Sequence, residues 1–397
     1  MRVLHLSTFD SSGGGAGRAA EALHRAETGM GIDSTLITAS GPRFRLASRM
    51  DRSLWSLQRS PIQTWRSPAY FGSLSADEIN SFPADIVNLH WVTNGFLSIE
   101  QIGRIRKPIV WSLYDMWPFA GTEHYPPDLT AARWQNGYTT ANRPAEERGI
   151  DLDRWTWARK QRMWCPGHVV SASTWLAEAA QSSALMRTWP ITRIPHPIDN
   201  QVFTPTDKQD ARRYLRMPDT GPLVLFLSSA GIGDSRKGFD LLQQAMAMVT
   251  SAVPHLTMTV VGPKPPTLPH IEGVKLQWHG SVGNNEELRM LYCAADVVVT
   301  PSRQDNLPLT AMEAQTCGRP VVAFAVGGLP DIVRHEVTGY LAQPFDTADL
   351  AQGILLALAD SQTANVWGTA ARANALTSWT PQIVAQGYAD TYERALA

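Results

Sequence analysis

Short apolar segments alternate with helical patterns along the whole chain, and this alternation constrains its fold more than any other feature. Such alternation is typical of βαβ units that build a parallel sheet. We predict strands at residues 3–6, 34–37, 85–89, 109–113 and 169–171, and a second series at 223–227, 258–261, 274–278, 297–300 and 320–324. Because the pattern restarts midway, we predict an α/β protein with two Rossmann-like domains that face a cleft.

The chain is long enough for two domains, since 397 residues exceed what one hydrophobic core usually supports. The boundary is predicted at Pro195-His196-Pro197, where two prolines interrupt regular structure. The first domain then covers residues 1–195 and the second covers residues 196–378. Residues 379–397 carry apolar side chains at helical spacing, so we expect a terminal helix that packs back on the first domain.

The charge and cysteine content limit the partners and the compartment. Lys and Arg total 35 against 36 Asp and Glu, so a net charge of −1 offers no general attraction for nucleic acid. The cysteines Cys165, Cys293 and Cys317 are far apart and odd in number, and we expect them to be buried and reduced. No segment resembles a signal peptide or approaches the roughly 20 apolar residues of a membrane span, so we expect a cytoplasmic protein.

Two carboxylates, Asp305 and Glu313, flank and enter a predicted helix. Pro308 suits the first turn of that helix and Gly318 the position after its last turn. The preceding strand at 297–300 places this segment at the carboxyl edge of a sheet, where ligands bind. The helix N-terminus favours phosphate and the carboxylates accept hydrogen bonds from hydroxyl groups, which together indicate a nucleotide sugar. An ordinary surface loop with two solvated acids is the alternative for this segment alone.

Two adjacent cations, Arg236 and Lys237, follow the strand at 223–227 and precede a helix. Cations oppose the dipole at a helix start, so a functional reason is favoured over a solvated pair. The arginine fork can bind two phosphate oxygens while the lysine acts as a compact charge. Together they can stabilise the charge that develops on a diphosphate leaving group.

A glycine-rich loop, Gly13-Gly14-Gly15-Ala16-Gly17, follows the first strand and opens a helix. Its bare backbone lets a phosphate or a sugar approach closely. A dinucleotide site would require an acidic residue at the end of the second strand, but the segment 35–39 lacks one. We therefore expect no nicotinamide cofactor.

In their order along the chain, these motifs resemble the retaining glycosyltransferases of the GT-B fold, specifically family four (glycosyltransferase group 1), and within it enzymes of bacterial polysaccharide assembly. The resemblance covers nearly the whole chain and rests on the ordered set of motifs. The landmarks are the glycine loop, Pro197-Ile198-Asp199 with Phe203, Arg236-Lys237-Gly238, Gly280-Ser281-Val282 and the acid pair that ends at Glu313.

The resemblance implies a role for each domain and each matched residue. The first domain would bind the acceptor and the second the nucleotide sugar. Arg236 and Lys237 would bind the donor diphosphate, Glu313 the ribose and the backbone around Val282 the base, while Asp305 would act at the donor sugar. Further donor contacts are expected from Gly14, Gly15, Gly231, Asn306 and Leu307. Neither a metal nor a cofactor is expected in such enzymes, because cationic side chains meet the diphosphate.

Two positions depart from the family pattern. Asp305 stands where relatives usually have glutamate, so its reach to a sugar hydroxyl is one methylene shorter. Tyr114 stands where many relatives have a histidine that faces the reacting sugar, and tyrosine seldom accepts a proton at neutral pH. His124 is a candidate for that catalytic role, with an ordinary loop histidine as the alternative. We expect acceptor-side contacts from Tyr114, Asp115 and Trp117.

Two further segments are rich in charge. Asp151-Leu152-Asp153 matches the metal-binding Asp-x-Asp of the other main glycosyltransferase fold, but the charged residues around it favour a solvated segment. The segment Arg43–Arg66 carries six arginines and apolar residues at helical spacing, namely Leu46, Met50, Leu54 and Leu57. This pattern favours either a helix on an anionic membrane or a helix packed on its own domain with its arginines in water.

We therefore predict a retaining hexosyltransferase that moves a sugar from a nucleotide diphosphate sugar to a saccharide, free or lipid-linked, in polysaccharide or glycoconjugate biosynthesis. Its predicted partners are the donor, the acceptor and, through Arg43–Arg66, the inner face of the cell membrane, with no nucleic acid. Two alternatives stay open. One is a non-catalytic sugar-nucleotide-binding or scaffold protein of the same fold, and the other is a GT-B epimerase or phosphorylase.

Overall fold

The structure of the protein is a computed structural model, described here for residues 1–61, 64–126, 132–359 and 361–397. The chain divides into two compact units, one of residues 1–195 with 384–397 and the other of residues 196–383. Each unit holds a six-stranded parallel sheet and helices that pack on it. The predicted α/β class is therefore confirmed.

The first unit contains one large sheet and a short ribbon. Its strands are β1 (Arg2–Ser7), β2 (Asp33–Thr38), β3 (Gln58–Arg59), β4 (Ile86–Leu89), β5 (Ile109–Leu113), β6 (Arg148–Gly149), β7 (His168–Ser171) and β8 (Ile191–Arg193). The large sheet has the order β2-β1-β4-β5-β7-β8, and β3 pairs with β6 in an antiparallel ribbon. The strand order reverses between β1 and β4, and ligands of such sheets bind at the carboxyl ends of the strands beside this switch point.

The second unit repeats this architecture. Its strands are β9 (Leu223–Leu227), β10 (Thr257–Val261), β11 (Lys275–Gly280), β12 (Val297–Thr300), β13 (Val321–Phe324) and β14 (Gly339–Ala342). The order β11-β10-β9-β12-β13-β14 places the switch point between β9 and β12. Strands β8 and β14 are missing from the sequence prediction because β8 has only three residues and β14 begins with glycine and has no β-branched residue.

The helices connect these strands and cover the sheets. In the first unit they are α1 (Gly15–Gly29), α2 (Gly41–Ser53), α3 (Ala76–Ser81), α4 (Ile99–Ile102), α5 (Arg133–Asn136), α6 (Leu152–Met163) and α7 (Thr174–Ser182). The second unit has α8 (Lys208–Tyr214), α9 (Phe239–Val249), α10 (Asn285–Ala294), α11 (Leu309–Thr316), α12 (Leu329–Ile332), α13 (Thr347–Ala359) and α14 (Ser361–Ser378), and the last helix is α15 (Pro381–Leu396).

The terminal helix α15 belongs to the core of the first unit from Val384 onward. Val384, Tyr388 and Tyr392 are buried in one cluster with Val3 of β1 and Val110 of β5. Both tyrosines also make hydrogen bonds, since Tyr388 OH lies 2.9 Å from the Ser112 hydroxyl and Tyr392 OH donates to Glu27 Oε1 at 2.8 Å. The apolar stripe of the helix therefore covers the sheet.

The Asp151–Asp153 segment is not solvated, so that prediction is wrong. Asp153 is 1% exposed, and its carboxylate accepts hydrogen bonds from Arg66 Nη1 at 2.7 Å and from Gln58 Nε2 at 2.7 Å. Asp151 pairs with Arg133 at 2.6 Å. Buried charges persist where they are paired and hydrogen-bonded, and here the partners come from distant parts of the chain.

The cysteines only partly follow the expectation of burial. Cys293 and Cys317 are buried, whereas Cys165 is exposed. Although they are distant in sequence, the two buried thiols interact with each other, because α10, which carries Cys293, contacts α11, which Cys317 follows. The pKa of the Cys293 thiol is lowered to about 6, chiefly by its hydrogen bond with Cys317.

Candidate functional site

Two loops of the second unit meet at its switch point, one after β9 and one after β12. The Arg303 backbone N–H donates to the Arg236 carbonyl at 2.7 Å and so joins the loops. Lys237 Nζ then lies 2.5 Å from Asp305 Oδ2. The structure thus brings together Arg236, Lys237 and Asp305, three of the residues that the sequence predicted to act on the donor.

The loop after β9 has a defined shape because Asp234 opens a short helical turn at Ser235–Lys237. Its carboxylate accepts from the Arg236 backbone N–H at 3.1 Å and from the Arg236 guanidinium at 2.7 Å. Gly238 ends the turn with φ 66°, and a Cβ there would lie 1.9 Å from the Pro301 carbonyl oxygen. Only glycine fits this position, since it combines a left-handed conformation with a close backbone approach.

The loop after β12 holds Asp305 close to the start of α11. Asp305 is 7% exposed, and its backbone carbonyl accepts from the Gly328 N–H at 3.1 Å. Asn306 and Leu307 are also buried, and Pro308 precedes the first residue of α11. The positive end of the helix dipole therefore lies beside Asp305 and Lys237, an arrangement that attracts an anionic group.

Glu313 differs in its surroundings from Asp305. It lies inside α11 and is 1% exposed, and its Oε2 accepts a hydrogen bond from the Tyr292 hydroxyl at 2.7 Å. Gly231 follows β9 and Val282 follows β11, so both also lie on loops at the carboxyl edge of the sheet. The expected donor residues of this unit thus share one edge, with Glu313 held by α10.

His196 is a neighbour of Asp305 that the sequence did not suggest. Burial lowers the pKa of its imidazole to about 4, while the Asp305 charge opposes that shift. The ring is therefore neutral at pH 7 and can offer one donor and one acceptor. Its only sequence signal was its place between two prolines, which we used for the domain boundary.

In the first unit, the glycine loop after β1 is shaped by close backbone contacts. Gly14 has φ 91° at the start of α1, and Gly15 is the first residue of that helix. A Cβ at Gly17 would lie 1.8 Å from the Asp10 carbonyl oxygen. The glycines therefore allow the loop to fold tightly at the switch point of this sheet.

Tyr114 follows β5 and is the first member of a series of hydrogen bonds that runs into the interior of the first unit. Its hydroxyl lies 3.0 Å from His90 Nδ1, His90 Nε2 lies 2.9 Å from His5 Nδ1, and His5 Nε2 lies 2.7 Å from Glu27 Oε2. A tyrosine hydroxyl can donate to an imidazole nitrogen, so Tyr114 is a candidate donor to His90. Burial raises the pKa of Tyr114 well above its ordinary value, so its hydroxyl stays protonated.

His90, His5 and Glu27 are the members of this series that the sequence analysis missed, and His90 is the one that contacts Tyr114. It follows β4, the strand next to β5, so its place one residue after a predicted strand was an available signal. The strand order thus places His90 beside Tyr114 at the carboxyl edge of the sheet.

His124 lies in the interior of the first unit. Its Nδ1 is 2.6 Å from Asp115 Oδ2, its Nε2 is 2.8 Å from the Ser67 hydroxyl, and its ring stacks on Trp91 with centroids 4.8 Å apart. Both ring nitrogens are therefore engaged. Its catalytic role stays a prediction, and these contacts fit better a residue that positions the segment after β5.

Asp115 and Trp117 support the same segment. Asp115 Oδ1 accepts from the Trp117 N–H at 3.0 Å, and the Trp117 indole is 2% exposed. The Trp117 ring also contacts the side chain of Lys160, which is fully buried. Lys160 Nζ donates to the carbonyls of Trp117, Ala120 and Gly121 and lies 3.9 Å from the centre of the Trp117 ring. Burial lowers the pKa of Lys160 well below its usual range. These contacts fix the path of the chain beyond Tyr114.

Within the described ranges, no group of three or more His, Cys, Asp or Glu side chains is placed to hold a metal ion. A cavity of about 600 Å³ in the second unit lies away from the candidate site, at the opposite edge of the sheet, where Pro222 and Asp296 precede β9 and β12.

Comparison with known proteins gives a family for part of the chain. Residues 221–360 match the family described as glycosyl transferases group 1. A D-inositol 3-phosphate glycosyltransferase from Geodermatophilus obscurus is 36% identical over 181 residues, which is 42% of this chain and 40% of that protein. One from Catenulispora acidiphila is 34% identical over 51% of this chain and 50% of that protein. The chain thus matches half or less of the length of these curated relatives.

Solved structures show the same fold over the whole chain. Sucrose-phosphate synthase from Thermosynechococcus elongatus has a TM-score of 0.70 at 18% identity, with 99% of each chain covered. Anabaena Alr3699/HepE, solved in complex with UDP-glucose, has a TM-score of 0.66 at 17% identity and covers 99% of this chain and 100% of its own. WaaG, a glycosyltransferase involved in lipopolysaccharide biosynthesis, has a TM-score of 0.63 at 16% identity, with 98% of each chain covered. The predicted GT-B fold is confirmed.

Proposed function

We propose that this chain, which belongs to the group 1 glycosyltransferases and has the GT-B fold, transfers a hexose from a nucleotide diphosphate sugar to a saccharide acceptor with retention of configuration. The observation that carries this proposal is the placement of Arg236 and Lys237 beside Asp305 at the switch point of the second unit. Two cations next to a helix N-terminus favour a diphosphate, and the carboxylate accepts a hydrogen bond from a sugar hydroxyl.

The reaction needs charge stabilisation more than a strong base. The bond between the anomeric carbon and the leaving phosphate oxygen breaks, and the acceptor hydroxyl oxygen bonds to that carbon. The hydroxyl proton passes to the leaving diphosphate. Arg236 and Lys237 would stabilise the charge on that diphosphate, which is the task of a metal in other enzymes. A neutral Tyr114 is compatible with this chemistry because no side chain has to take the proton.

The test of this function is the loss of transfer in Arg236→Ala. We expect turnover of a nucleotide diphosphate hexose to fall at least about 100-fold, because removing one charge-stabilising donor commonly costs that much. Arg213→Ala is the matched control, since Arg213 lies on α8 with its side chain 67% exposed. Assays should use uridine, guanosine and adenosine diphosphate sugars with several acceptors. Full activity in the Arg236 variant would refute its role.

The same assays separate the alternatives. Nucleotide binding without turnover on any acceptor would support a non-catalytic binding or scaffold protein. Inversion of the anomeric centre in the product would refute retention, and sugar phosphate formed from inorganic phosphate would indicate a phosphorylase. Activity that persists in excess chelator is expected, because Arg236 and Lys237 are proposed to replace a metal.

We also propose that the acceptor is lipid-linked and that helix α2 meets an anionic membrane. Leu46 is 61% exposed and Met50 38% exposed on one face of α2, and Leu57 follows at 41%. Arg66, in contrast, is buried with Asp153 and takes no part. Among the helices of the described residues, none has the length and apolar character needed to cross a bilayer. Co-sedimentation with vesicles of phosphatidylglycerol, compared with phosphatidylcholine, tests this contact, and Leu46→Gln/Met50→Gln should weaken it.

A further inference from the structure

Helix α2 has three distinct faces, and one of them consists of arginines. Arg45, Arg49 and Arg52 are spaced i, i+4 and i+7, so they lie on one side of the helix. The core-facing side carries the buried Ala47 and Asp51. The exposed apolar residues described above occupy the remaining side. The arginine face is therefore separate from the face proposed to meet a membrane.

The arginine face forms one wall of a cavity of about 560 Å³ in the first unit. The cavity lies at the carboxyl ends of β1 and β2, next to the switch point of this sheet. The loop after β1 also lines it, and the lining residues include Thr8, Asp10, Ser12, Gly13, Ser48 and Asn94. Its position is thus the one at which a doubly wound sheet binds its ligand.

None of the three arginines forms an ion pair in the part of the chain that the structure describes. Arg52 has a single hydrogen bond, of 3.4 Å, from its Nε to the Ser48 carbonyl. Like charges at i and i+4 repel each other and weaken an isolated helix, by roughly 0.2–0.5 kcal/mol per pair. Three such cations around a cavity therefore point to an anionic ligand that compensates them.

The charge of the cavity fits a dianion better than a single carboxylate. The one acid among the lining residues is Asp10, whose carboxylate accepts hydrogen bonds from the Ser12 N–H and hydroxyl at 2.9 and 2.6 Å. These hydrogen bonds lower the pKa of Asp10, so it stays charged. Three arginines against one carboxylate leave a net charge of +2. A phosphate monoester carries about −1.5 to −2 at pH 7 and accepts the forked donors of arginine.

The floor of the cavity is fixed before any ligand binds. Asn94 and Gly95 both have positive φ, and a Cβ at Gly95 would lie 2.3 Å from the Ser48 N atom of α2. The Ser48 hydroxyl donates to Asn94 Oδ1 at 3.2 Å. This close packing holds α2 against the loop after β4 and so fixes the positions from which the arginines extend.

We propose that this cavity binds the phosphate monoester of a phosphorylated saccharide acceptor through Arg45, Arg49 and Arg52. The proposal rests on the glycosyltransferase function above and names the chemical class of its acceptor. The loop after β1, with Ser12 and the bare backbone of Gly13, then faces the sugar that carries the phosphate. The phosphate fixes the position of the acceptor, and the arginines take no part in the chemical step.

Binding without any donor tests the proposal independently of turnover. Titration calorimetry of the full chain with glucose 6-phosphate, glucose and inorganic phosphate should show binding of the two phosphates and none of glucose. Arg45→Gln/Arg49→Gln should weaken phosphate binding at least tenfold, while UDP or GDP binding stays unchanged. Arg25→Ala on α1, whose side chain is 72% exposed, is the matched control and should bind as the parent protein does. Binding should also weaken below about pH 6, where the phosphate becomes a monoanion.

The possible failures are distinguishable. Unchanged phosphate affinity in the double variant would overturn the proposal, and so would loss of phosphate binding in Arg236→Ala, which would assign the phosphate to the donor site. If the double variant lost only binding to phosphatidylglycerol vesicles and no sugar phosphate bound the parent protein, these arginines would belong to a membrane surface instead. Phosphate binding through Arg45 and Arg49 without transfer from any nucleotide sugar would leave this site intact and refute the glycosyltransferase function.

Discussion

Lys237 and Asp305 lie 68 positions apart in the sequence, yet their side chains form an ion pair of 2.5 Å between the loops that follow β9 and β12. Asp305 is nearly buried and Lys237 is partly exposed. Neither loop alone shows which residue its charge pairs with. Together they place a cation and a carboxylate side by side at the carboxyl edge of the sheet.

A double-mutant cycle on this pair should show a large coupling. We expect Lys237→Ala to destabilise the second unit by about 1–3 kcal/mol, because it leaves the Asp305 carboxylate without its counter-charge. Adding Asp305→Asn should recover part of that loss. Arg213 and Asp210 form an exposed pair on α8 and provide the control cycle, with an expected coupling of about 0–1 kcal/mol. Urea unfolding of the parent protein and the six variants measures the coupling energy of each pair. Equal coupling energies for the two pairs would contradict the prediction.

The loop after β9 should tolerate alanine at one glycine and not at another. Gly238→Ala should destabilise the second unit by about 2–4 kcal/mol, since it puts a Cβ 1.9 Å from the Pro301 carbonyl oxygen in a left-handed conformation. Gly233→Ala should be nearly neutral because no atom lies within 4 Å of the added Cβ. Thermal unfolding compares the two variants. A similar loss in both would mean that the loop does not pack as described.

The stability of the first unit should fall as pH rises through neutrality. Burial, together with the nearby Asp153 charge, raises the pKa of Glu123 from 4.5 to about 8. A raised carboxyl pKa means that the folded state holds a proton which the unfolded state releases above about pH 4.5. The protonated carboxyl makes its full contribution to the free energy of unfolding below pH 4.5. That contribution decreases by up to about 1.4 kcal/mol per pH unit as the pH rises towards 8.

Glu123→Gln provides the check on that pH dependence. Glutamine keeps the shape of the protonated acid and cannot ionise, so the difference in melting temperature between variant and parent should grow from pH 5 to pH 8. Glu146→Gln, a change at an exposed position of the same unit, should not alter the slope. Parallel pH profiles for Glu123→Gln and the parent would show that Glu123 is ionised throughout.

The terminal helix should depend on one tyrosine hydroxyl. Tyr392 OH donates to Glu27 Oε1 at 2.8 Å and accepts from Asn88 Nδ2 at 2.7 Å, and all three groups are buried. Tyr392→Phe leaves both partners unsatisfied and should cost about 1–3 kcal/mol in the free energy of unfolding. Tyr214→Phe, at a tyrosine that is 53% exposed, should cost almost nothing. Limited proteolysis near the C-terminus offers a second measurement, with faster cleavage expected only in the Tyr392 variant.

Much of the fold could be read from local sequence. Ten of the twelve strands in the two large sheets were predicted, because buried parallel strands are continuous apolar segments with β-branched residues. The helix after Asp305 was also predicted, since proline and glycine mark its ends. Strands β8 and β14 were missed because the first has only three residues and the second has a glycine and no β-branched residue.

The candidate site could be predicted only in part. The sequence identified Arg236, Lys237 and Asp305 from their places after predicted strands, and the resemblance supplied their roles. It did not reveal the order of the strands, which brings the loops after β9 and β12 together. It also did not reveal His90 and His196, because a histidine becomes informative only when its neighbours in space are known.

By itself, then, the sequence determined the α/β class, the repetition of the Rossmann pattern and the charged residues at strand ends, since these follow from the local spacing of apolar and polar residues. Only the tertiary structure decided which charges meet. In the folded protein Asp153 is buried in an ion pair with Arg66, and Lys237 forms an ion pair with Asp305. Arg45, Arg49 and Arg52 line one cavity. The physical reason is that the free energy of a charge depends on the partners and the solvent around it, and both are set by contacts between distant parts of the chain.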